Sequence, residues 1–280
     1  MSTTLQRLQS SIDSREARLR SLEAEVIRKG AYLSGLPNVE VGELQEPAIR
    51  FVRLSDPKRE GQSLKKKQCD LWEFCWGSSS LLAYVVVNSL DWTAKSSLEL
   101  GGGLGISTLA LAKAYSTKRS VMTDLVADAL KVFMLSTTLQ KLKGNTNTRV
   151  LNWNQPDIQP EDSSAFDLVM GSDVLFMSWC AIPVANVAAK SLSDSGLVMI
   201  VDPYRLNDEA FLHSLAELGI AYQQSYDFPT HLVNRLVLPL LDTRGSVVPV
   251  KRAKLLVASK MEIPVSLQDI LTSKLGLIPL

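Results

Sequence analysis

The segment with the strongest chemical signature is an apolar stretch that ends in a glycine-rich turn. An acid, Glu99, precedes glycines at every second position, Gly101, Gly103 and Gly105. Glycine lets the backbone approach a ligand where a Cβ atom would block it. The helix predicted over residues 105–117 would direct free N–H groups and its positive end at the same point. The segment therefore predicts a site for a nucleotide-bearing ligand, and a flexible turn without a ligand is the alternative.

The spacing of the glycines excludes two common nucleotide motifs. A dinucleotide fingerprint needs glycine at the sixth position of Gly-x-Gly-x-x-Gly, but that position is Ile106 counted from Gly101 and Thr108 counted from Gly103. A phosphate-binding P-loop ends in Gly-Lys-Ser/Thr, and the next lysine in this chain is Lys113. The remaining pattern is Glu-x-Gly-x-Gly-x-Gly.

Polar and aromatic side chains follow the next two predicted strands. Asp124 comes 23 residues after Gly101, and an acid at this point can accept hydrogen bonds from both hydroxyls of a ribose. That geometry would suit NAD as well, and Asp124 could instead cap the helix predicted over 126–143. Asn152 and Trp153 end the third strand, where Trp153 could equally be a core residue.

These residues carry a resemblance to the class I S-adenosylmethionine (SAM) methyltransferases over about residues 72–205. Within that class the chain is similar to the seven-strand family 16, which contains many protein-lysine methyltransferases. Trp76 matches the family's Trp-x-Gly/Ser segment, and the pair from Asp173 to Phe176 matches its Asp-x-x-Tyr/Phe motif. The segment 202–205, Asp-Pro-Tyr-Arg, resembles the Asp-Pro-x-Arg of the electron-transfer-flavoprotein lysine methyltransferases.

The resemblance implies SAM as the cofactor and assigns residues to it. Glu99 would face the methionine part, while Asn152 and Trp153 would border the adenine. The residues expected to bind the cofactor are Trp76, Glu99, Gly101, Gly103, Gly105, Asp124, Asn152, Trp153 and Asp173.

Asp173 and Phe176 are the expected catalytic residues. Methyl transfer to an amine is an in-line displacement at a sulfonium, so positioning and desolvation provide most of the catalysis. A lysine, whose pKa in water is about 10.4, must lose its proton before it attacks. Phe176 would form an apolar wall that lowers this pKa, and Asp173 would orient the amine. Asp173 could instead cap the helix predicted over 177–191.

Three departures from the family pattern leave a second function open. The turn has an extra glycine, Gly102, and a bulky Leu104, and Phe176 replaces the more frequent tyrosine. The alternative is a methyltransferase fold with weak or absent catalysis that serves as a structural or assembly subunit. Arg205 is expected to form a local ion pair rather than to take part in the site.

Residues 5–29 carry a heptad repeat that predicts a helix with a narrow apolar seam. Packing of this seam on the chain's own domain and a coiled coil with itself or a partner protein are both open alternatives. The seam positions are Leu5, Ile12, Leu19 and Val26 on one register, and Leu8, Arg15, Leu22 and Lys29 on the other.

From residue 71 onward, apolar strand-like runs alternate with helical stretches. This alternation predicts an α/β fold, a Rossmann-like class I methyltransferase sheet that is mostly parallel. Residues 232–241 and 252–259 are expected to close it as an antiparallel hairpin through 242–246. The expected organisation is an N-terminal heptad helix (1–35), a linker with a short strand (36–70), the methyltransferase domain (71–260) and a C-terminal tail (261–280).

Composition limits the compartment and the partners. The 280 residues are 46% hydrophobic with a net charge of +1, which gives no sign of a nucleic-acid partner. Three cysteines and two histidines have no metal-site spacing. No apolar run is long enough to span a membrane, and no signal peptide is recognisable. An intracellular, cytoplasmic protein with a protein substrate is expected, with a mitochondrial location as the alternative.

Overall fold

The strands predicted between residues 96 and 202 form the parallel half of an eight-stranded sheet in a computed structural model. The structure describes residues 2–36, 38–55, 68–142, 145–237 and 247–280. The strands are β1 (Val39–Leu44), β2 (Ile49–Leu54), β3 (Cys75–Trp76), β4 (Ser96–Leu100), β5 (Arg119–Asp124), β6 (Thr146–Val150), β7 (Phe166–Ser172), β8 (Leu192–Asp202), β9 (Tyr222–Asp227), β10 (Val247–Val248), β11 (Lys254–Ser259) and β12 (Ile278–Pro279).

Helices cover both faces of this sheet. They are α1 (Ser2–Leu33), α2 (Gly77–Ser89), α3 (Ile106–Ala114), α4 (Ala127–Leu139), α5 (Ala181–Ser191), α6 (Asp208–Glu217), α7 (Thr230–Val237) and α8 (Val265–Asp269). Short 3₁₀ turns lie at Gln68–Glu73 and Pro160–Asp162, and one π-helical turn lies at Ile270–Lys274.

The sheet has the order β12-β9-β11-β8-β7-β4-β5-β6, with β4 to β8 parallel. All five residues of β4 are buried, as expected for a central strand covered on both faces. The carboxyl ends of β4 to β8 meet at one edge, which is where open α/β sheets bind ligands. The predicted α/β fold with a mostly parallel, Rossmann-like sheet is confirmed.

The antiparallel end of the sheet differs from the predicted hairpin. β11 confirms the strand expected over 252–259, but it lies between β8 and β9 and is antiparallel to both. The strand predicted over 232–241 is wrong for its described part, because residues 230–237 form α7. Its four apolar residues recur at helical spacing and are all buried, which explains the helix: Leu232, Val233, Leu236 and Val237. Residues 238–246, including the predicted turn, lie outside the described residues.

Alternation along β8 shows how the two faces are filled. Leu197, Met199 and Val201 pack in the cluster that includes α2 and α7. Val198 and Ile200 pack in the cluster that includes α5 and α6. This period of two is the geometry of a strand covered on both sides.

The N-terminal region extends the α2 side of the sheet. β1 and β2 pair antiparallel, and Phe51 packs in one cluster with Phe133 of α4 and Leu109 of α3. The backbone N–H of Val52 donates to Ser136 Oγ at 2.8 Å, which ties β2 to α4. The predicted linker region therefore contributes to the core of the domain through its described residues.

α1 packs on α4 and β1, but not through the predicted seam. Its buried residues are Ile27 and Ala31, near the end of the helix. The described apolar seam side chains are about half exposed or more: Ile12 (49%), Leu19 (54%), Leu22 (53%) and Val26 (63%). The alternative that these seam residues pack on the chain's own domain is therefore wrong. The side chains of Leu5 and Leu8 lie outside the described part.

Two carboxylate–guanidinium pairs fix the orientation of α1 on the β1–β2 hairpin. Glu23 accepts a hydrogen bond from Arg50 at 2.7 Å, and Glu43 accepts one from Arg20 at 3.4 Å. None of the described helices is long and apolar enough to cross a membrane.

Candidate active site

A cavity of about 330 Å³ opens at the carboxyl edge of the parallel strands. The segments after β4, β5, β6 and β7 each contribute to it, together with the segment before α2 and the loop after β8. Its predicted lining residues are Trp76, Gly101, Gly103, Asp124, Asn152, Trp153, Asp173 and Phe176. One edge of the sheet therefore brings together eight of the ten site residues expected from the sequence.

The glycine turn is built from alternating left-handed residues. Gly101, Gly103 and Gly105 have φ angles of 59°, 55° and 70°, a region that glycine enters at little cost. Gly102 donates its backbone N–H to Thr123 O at 2.8 Å, which fixes the turn against the end of β5. The alternation in the sequence thus reflects a backbone requirement as well as space for a ligand.

Gly102, the extra glycine of the turn, has a packing reason. A Cβ atom at this position would stand 2.8 Å from Met122 Cγ and 3.3 Å from the Glu99 carboxyl group. Gly105 is similarly a packing glycine, because an added Cβ would stand 2.1 Å from the Phe133 ring. The structure places Gly105 at the start of α3 and outside the cavity lining.

Glu99 lies beneath the turn rather than in the cavity. Its side chain is buried, and Oε2 accepts hydrogen bonds from Thr108 Oγ1 at 2.6 Å and from the Thr108 backbone N–H at 3.1 Å. Burial is the main cause that raises the pKa of Glu99 to about 7, against the opposing effect of these bonds. In this geometry the carboxyl group connects β4 to the first turn of α3.

Asp124 stands at the opposite side of the turn and lines the cavity. Its Oδ2 accepts the Gly103 N–H at 3.0 Å, and its Oδ1 accepts the Val126 N–H at 3.0 Å. Burial raises the pKa of Asp124, while these backbone bonds act in the opposite direction. Each oxygen keeps a lone pair for a further donor, such as a hydroxyl group of a ligand.

Aromatic rings form much of the cavity wall. Trp153 lies over the glycine turn, since a Cβ atom at Gly101 would stand 2.8 Å from its ring. Its indole Nε1 is buried without a hydrogen-bond partner among the described residues. Trp76 donates its Nε1–H to Leu71 O at 2.9 Å, and Phe176 meets Trp179 edge to face at 6.5 Å. Such walls suit a flat ring and exclude water.

Asp173 is the buried acid at the other end of the cavity. It has a φ of 55° and directly follows β7, where its N–H donates to Val201 O at 2.9 Å. Both carboxyl oxygens accept hydrogen bonds from Arg205, from Nε at 2.7 Å and from Nη2 at 2.7 Å. Burial raises the pKa of Asp173 more than Arg205 lowers it.

Sequence reasoning missed two kinds of residue in this site. Arg205 does form an ion pair, but its partner is Asp173 and it lines the cavity. Trp72 and Phe74 enter from the segment before β3, whose 3₁₀ turn crosses the glycine turn at Gly103. The position of Arg205 just after a sheet strand was the available signal, whereas Trp72 and Phe74 follow no recognisable pattern.

Asp202, the last residue of β8, does not line the cavity. It is fully buried, and its Oδ2 accepts the backbone N–H of Arg205 at 2.9 Å. Among the residues that the structure describes, no group of three or more His, Cys, Asp or Glu could hold a metal ion. The cavity thus combines a glycine floor, one acid beside the turn and one acid beyond it.

The comparisons with known proteins give a family match and a set of structural neighbours. A model of the family described as lysine methyltransferase matches residues 64–218. No curated protein matches the chain. A geranyl diphosphate methyltransferase solved with GPP and sinefungin has a TM-score of 0.50 at 12% identity, over 65% of this chain and 78% of its own.

Two further structures align less closely. A sarcosine dimethylglycine methyltransferase from Galdieria sulphuraria, named as putative in its description, has a TM-score of 0.47 at 13% identity, over 66% of this chain and 85% of its own. A phosphoethanolamine N-methyltransferase 2 of Haemonchus contortus, solved with SAM, has a TM-score of 0.48 at 12% identity, over 65% of this chain and 52% of its own. At these identities the first structure shows a shared fold alone.

Proposed function

The chain belongs to the lysine methyltransferase family, because the match over residues 64–218 spans more than half of the sequence. We propose that it methylates a lysine side chain of another protein. The methyl donor in this proposal is SAM, which supplies a methyl group on a sulfonium. The observation that carries the proposal is the position of Asp173 and Phe176 in the same cavity as the glycine turn and Asp124.

The donor end of the cavity has the groups that a nucleoside needs. Asp124 keeps acceptor lone pairs for the ribose hydroxyls, and the backbone at Gly101 and Gly103 allows close approach. Trp153 offers a ring face, and Asn152 stands beside it at the end of the third parallel strand. Trp76 also lines this cavity.

The acceptor end suits an amine that arrives as a cation and reacts as a neutral nucleophile. Asp173 stabilises the ammonium as it enters, because a buried carboxylate requires a cationic partner. The rings of Phe176 and Trp179 lower the effective dielectric around that amine, which lowers its pKa and favours loss of its proton. The neutral nitrogen can then attack the methyl group in line.

The first test is calorimetric titration of the purified chain with S-adenosylhomocysteine (SAH). Wild type and an Asp128→Asn control should bind, because Asp128 lies on α4 outside the cavity lining and its ion-pair partner among the described residues is Lys131. Asp124→Ala should lose most of the affinity. A folded wild-type chain that does not bind SAH would contradict the proposal.

The second test concerns the acceptor. A dialysed cell extract is incubated with the chain and radiolabelled SAM, and the hydrolysed protein is examined for methylated lysine. A parallel extract, in which lysines have been acetylated beforehand, should take up no label. Label that persists in the blocked extract would show a different acceptor, and Phe176→Ala should reduce the labelling of the untreated extract.

A second candidate function is favoured by α1. Its exposed apolar seam, defined by Ile12, Leu19, Leu22 and Val26, is a surface that a helix of a partner protein could cover. In this alternative the chain acts as an assembly subunit with weak or no catalysis. Deletion of residues 1–19 would then abolish partner binding, while SAH would have no measurable effect on it.

A further inference from the structure

The ion pair between Asp173 and Arg205 closes the acceptor end of the cavity. We propose that Arg205 occupies the acceptor-amine position on Asp173 in the substrate-free protein, and that a protonated primary amine must displace its guanidinium. This inference rests on the proposed function, because it concerns how the acceptor reaches the same site. It makes Arg205 a specificity-determining residue rather than the local structural pair expected from the sequence.

The carboxylate oxygens of Asp173 have little surface left for another cation. The guanidinium is bidentate, with Nε on Oδ1 and Nη2 on Oδ2, both at 2.7 Å. The Asp173 side chain is only 5% exposed, so its remaining surface is already covered by protein. An ammonium can therefore reach the carboxylate only along the path that the guanidinium now fills.

Arg205 is held in a way that allows its side chain to leave. Its backbone N–H donates to Asp202 Oδ2 at 2.9 Å, which anchors the main chain independently of Asp173. The side chain is 38% exposed, and its guanidinium lies 5.9 Å from the Trp76 ring. The guanidinium can thus move toward solvent while remaining near an aromatic face that attracts cations.

Charge balance makes the exchange selective. Asp173 is buried, so removal of Arg205 without a replacement would leave an uncompensated carboxylate, which is costly. An incoming ammonium restores the balance one charge for one, whereas a neutral or anionic acceptor cannot. The pair therefore selects cationic amines and keeps the empty site neutral.

Binding of n-butylammonium to the SAH-loaded protein tests the displacement directly. Calorimetry should show binding about tenfold tighter to the Arg205→Gln variant than to wild type, because the probe no longer has to break a charge-assisted pair. The control is Arg252→Gln: Arg252 is a 68% exposed arginine on the same sheet edge that does not line the cavity. Its affinity for the probe should equal that of wild type.

The possible failures are distinguishable. If wild type does not bind SAH, the proposed function fails and the inference fails with it. If SAH binds normally but n-butylammonium binds Arg205→Gln no more tightly than wild type, the inference alone is overturned.

The Arg205→Lys variant provides an independent test without an external acceptor. This substitution places a primary amine next to Asp173, where SAM should methylate it in the same molecule. A nitrogen–carbon bond forms, the methyl–sulfur bond breaks with its electrons left on sulfur, and the amine proton passes to solvent. Mass analysis of proteolytic peptides should show the added mass of a methyl group at position 205 of Arg205→Lys, and none at position 252 of Arg252→Lys. An SAH-binding Arg205→Lys variant that stays unmodified would contradict the inference.

Discussion

At the scale of single residues, Glu99 and Asp173 differ in what offsets the effect of burial on their pKa values. Glu99 has no guanidinium or ammonium partner among the described residues and is stabilised by hydrogen bonds from Thr108, with a smaller contribution from Ser107. Asp173 has a full ion pair. Their pKa values are both raised by burial, but only Asp173 has a cation to offset the effect.

The raised pKa of Glu99 predicts how stability changes with pH. Between pH 4.5, the ordinary pKa of a glutamate, and about pH 7, its pKa in the fold, the folded protein holds a proton on Glu99 that the unfolded chain has lost. Stability therefore falls as pH rises from about 5 to 7 and levels off above the folded pKa, a loss of about 3 kcal/mol for this group. Urea denaturation of wild type and Glu99→Gln at pH 5.5 and pH 8 should show about 2 kcal/mol of this loss, because part of it has already occurred at pH 5.5.

The variant should lack this part of the pH dependence, since an amide does not titrate and still accepts the Thr108 bond. Glu209→Gln, at an exposed position in the first turn of α6, is the matched control and should behave as wild type. An identical pH dependence in Glu99→Gln and wild type would show that Glu99 ionises normally in the fold.

Two glycines with the same left-handed backbone allow the conformational cost of an added Cβ atom to be distinguished from its packing cost. Gly105→Ala should destabilise the protein by about 3 kcal/mol, because it adds a contact with Phe133 to the cost of a positive φ. Gly219 has a φ of 86°, and no described atom lies within 4 Å of an added Cβ, so Gly219→Ala should cost only about 1 kcal/mol. Chemical denaturation of both variants checks this, and equal losses would show that Phe133 adjusts freely.

At the scale of elements, α1 gives two adjacent residues with opposite expected effects. Ile27→Ala should lower the free energy of unfolding by about 2–4 kcal/mol, because Ile27 is 3% exposed in the core cluster with α4. Val26→Ala should change it by less than about 0.5 kcal/mol, because Val26 is 63% exposed. Denaturation of the two single variants measures both, and a larger loss for Val26→Ala would mean that the seam is covered in solution.

The heptad repeat could not reveal this arrangement. It reports which residues share a helix face, and Val26 belongs to the longer apolar stripe. Packing on α4 depends instead on close approach, which the small residues Gly30 and Ala31 allow beside Ile27. A periodic pattern predicts the helix but not the neighbour.

The parallel strands could be predicted because they are apolar runs, a signal that the C-terminal strand β9 lacks. β4, β5, β7 and β8 are apolar runs between amphipathic helices, and such runs belong in a buried parallel sheet. β9 is Tyr-Gln-Gln-Ser-Tyr-Asp, whose polar residues hide a strand near the sheet edge. The apolar run that begins at Leu232 is compatible with both a strand and a helix. The polar residues Asn234 and Arg235 interrupt it at helical spacing and favour the helix.

The candidate site was predictable wherever a residue ends a strand or follows it within two positions. Asp124, Asn152 and Asp173 come from this rule, and the sheet brings all three to one cavity. Arg205 stands at the equivalent place after β8, but its partner across the edge depends on the turn geometry that only the fold supplies.

At the scale of the whole molecule, four of the five tryptophans line one cavity. The fifth, Trp92, is buried elsewhere and donates its Nε1–H to Val86 O at 2.8 Å. SAH binding should therefore shift the intrinsic fluorescence to shorter wavelength, as water leaves the indole rings. Trp92→Phe should retain the shift and Trp153→Phe should reduce it, as measured by fluorescence titration. An unchanged spectrum in a sample that calorimetry shows to be saturated would contradict this placement.

The position of β11 has a consequence for how the protein is made. β9 emerges from the ribosome before β11. In the sheet, however, β11 lies between β8 and β9 and pairs with both. Until residues 254–259 emerge, β8 presents an open apolar edge and β9 has no place in the sheet. A nascent chain halted between α7 and β11 would already carry Asp124 and Asp173, but it would expose the kind of unpaired edge that leads to aggregation and recruits chaperones. The residues of the site are thus synthesised before the strand that protects the edge of β8.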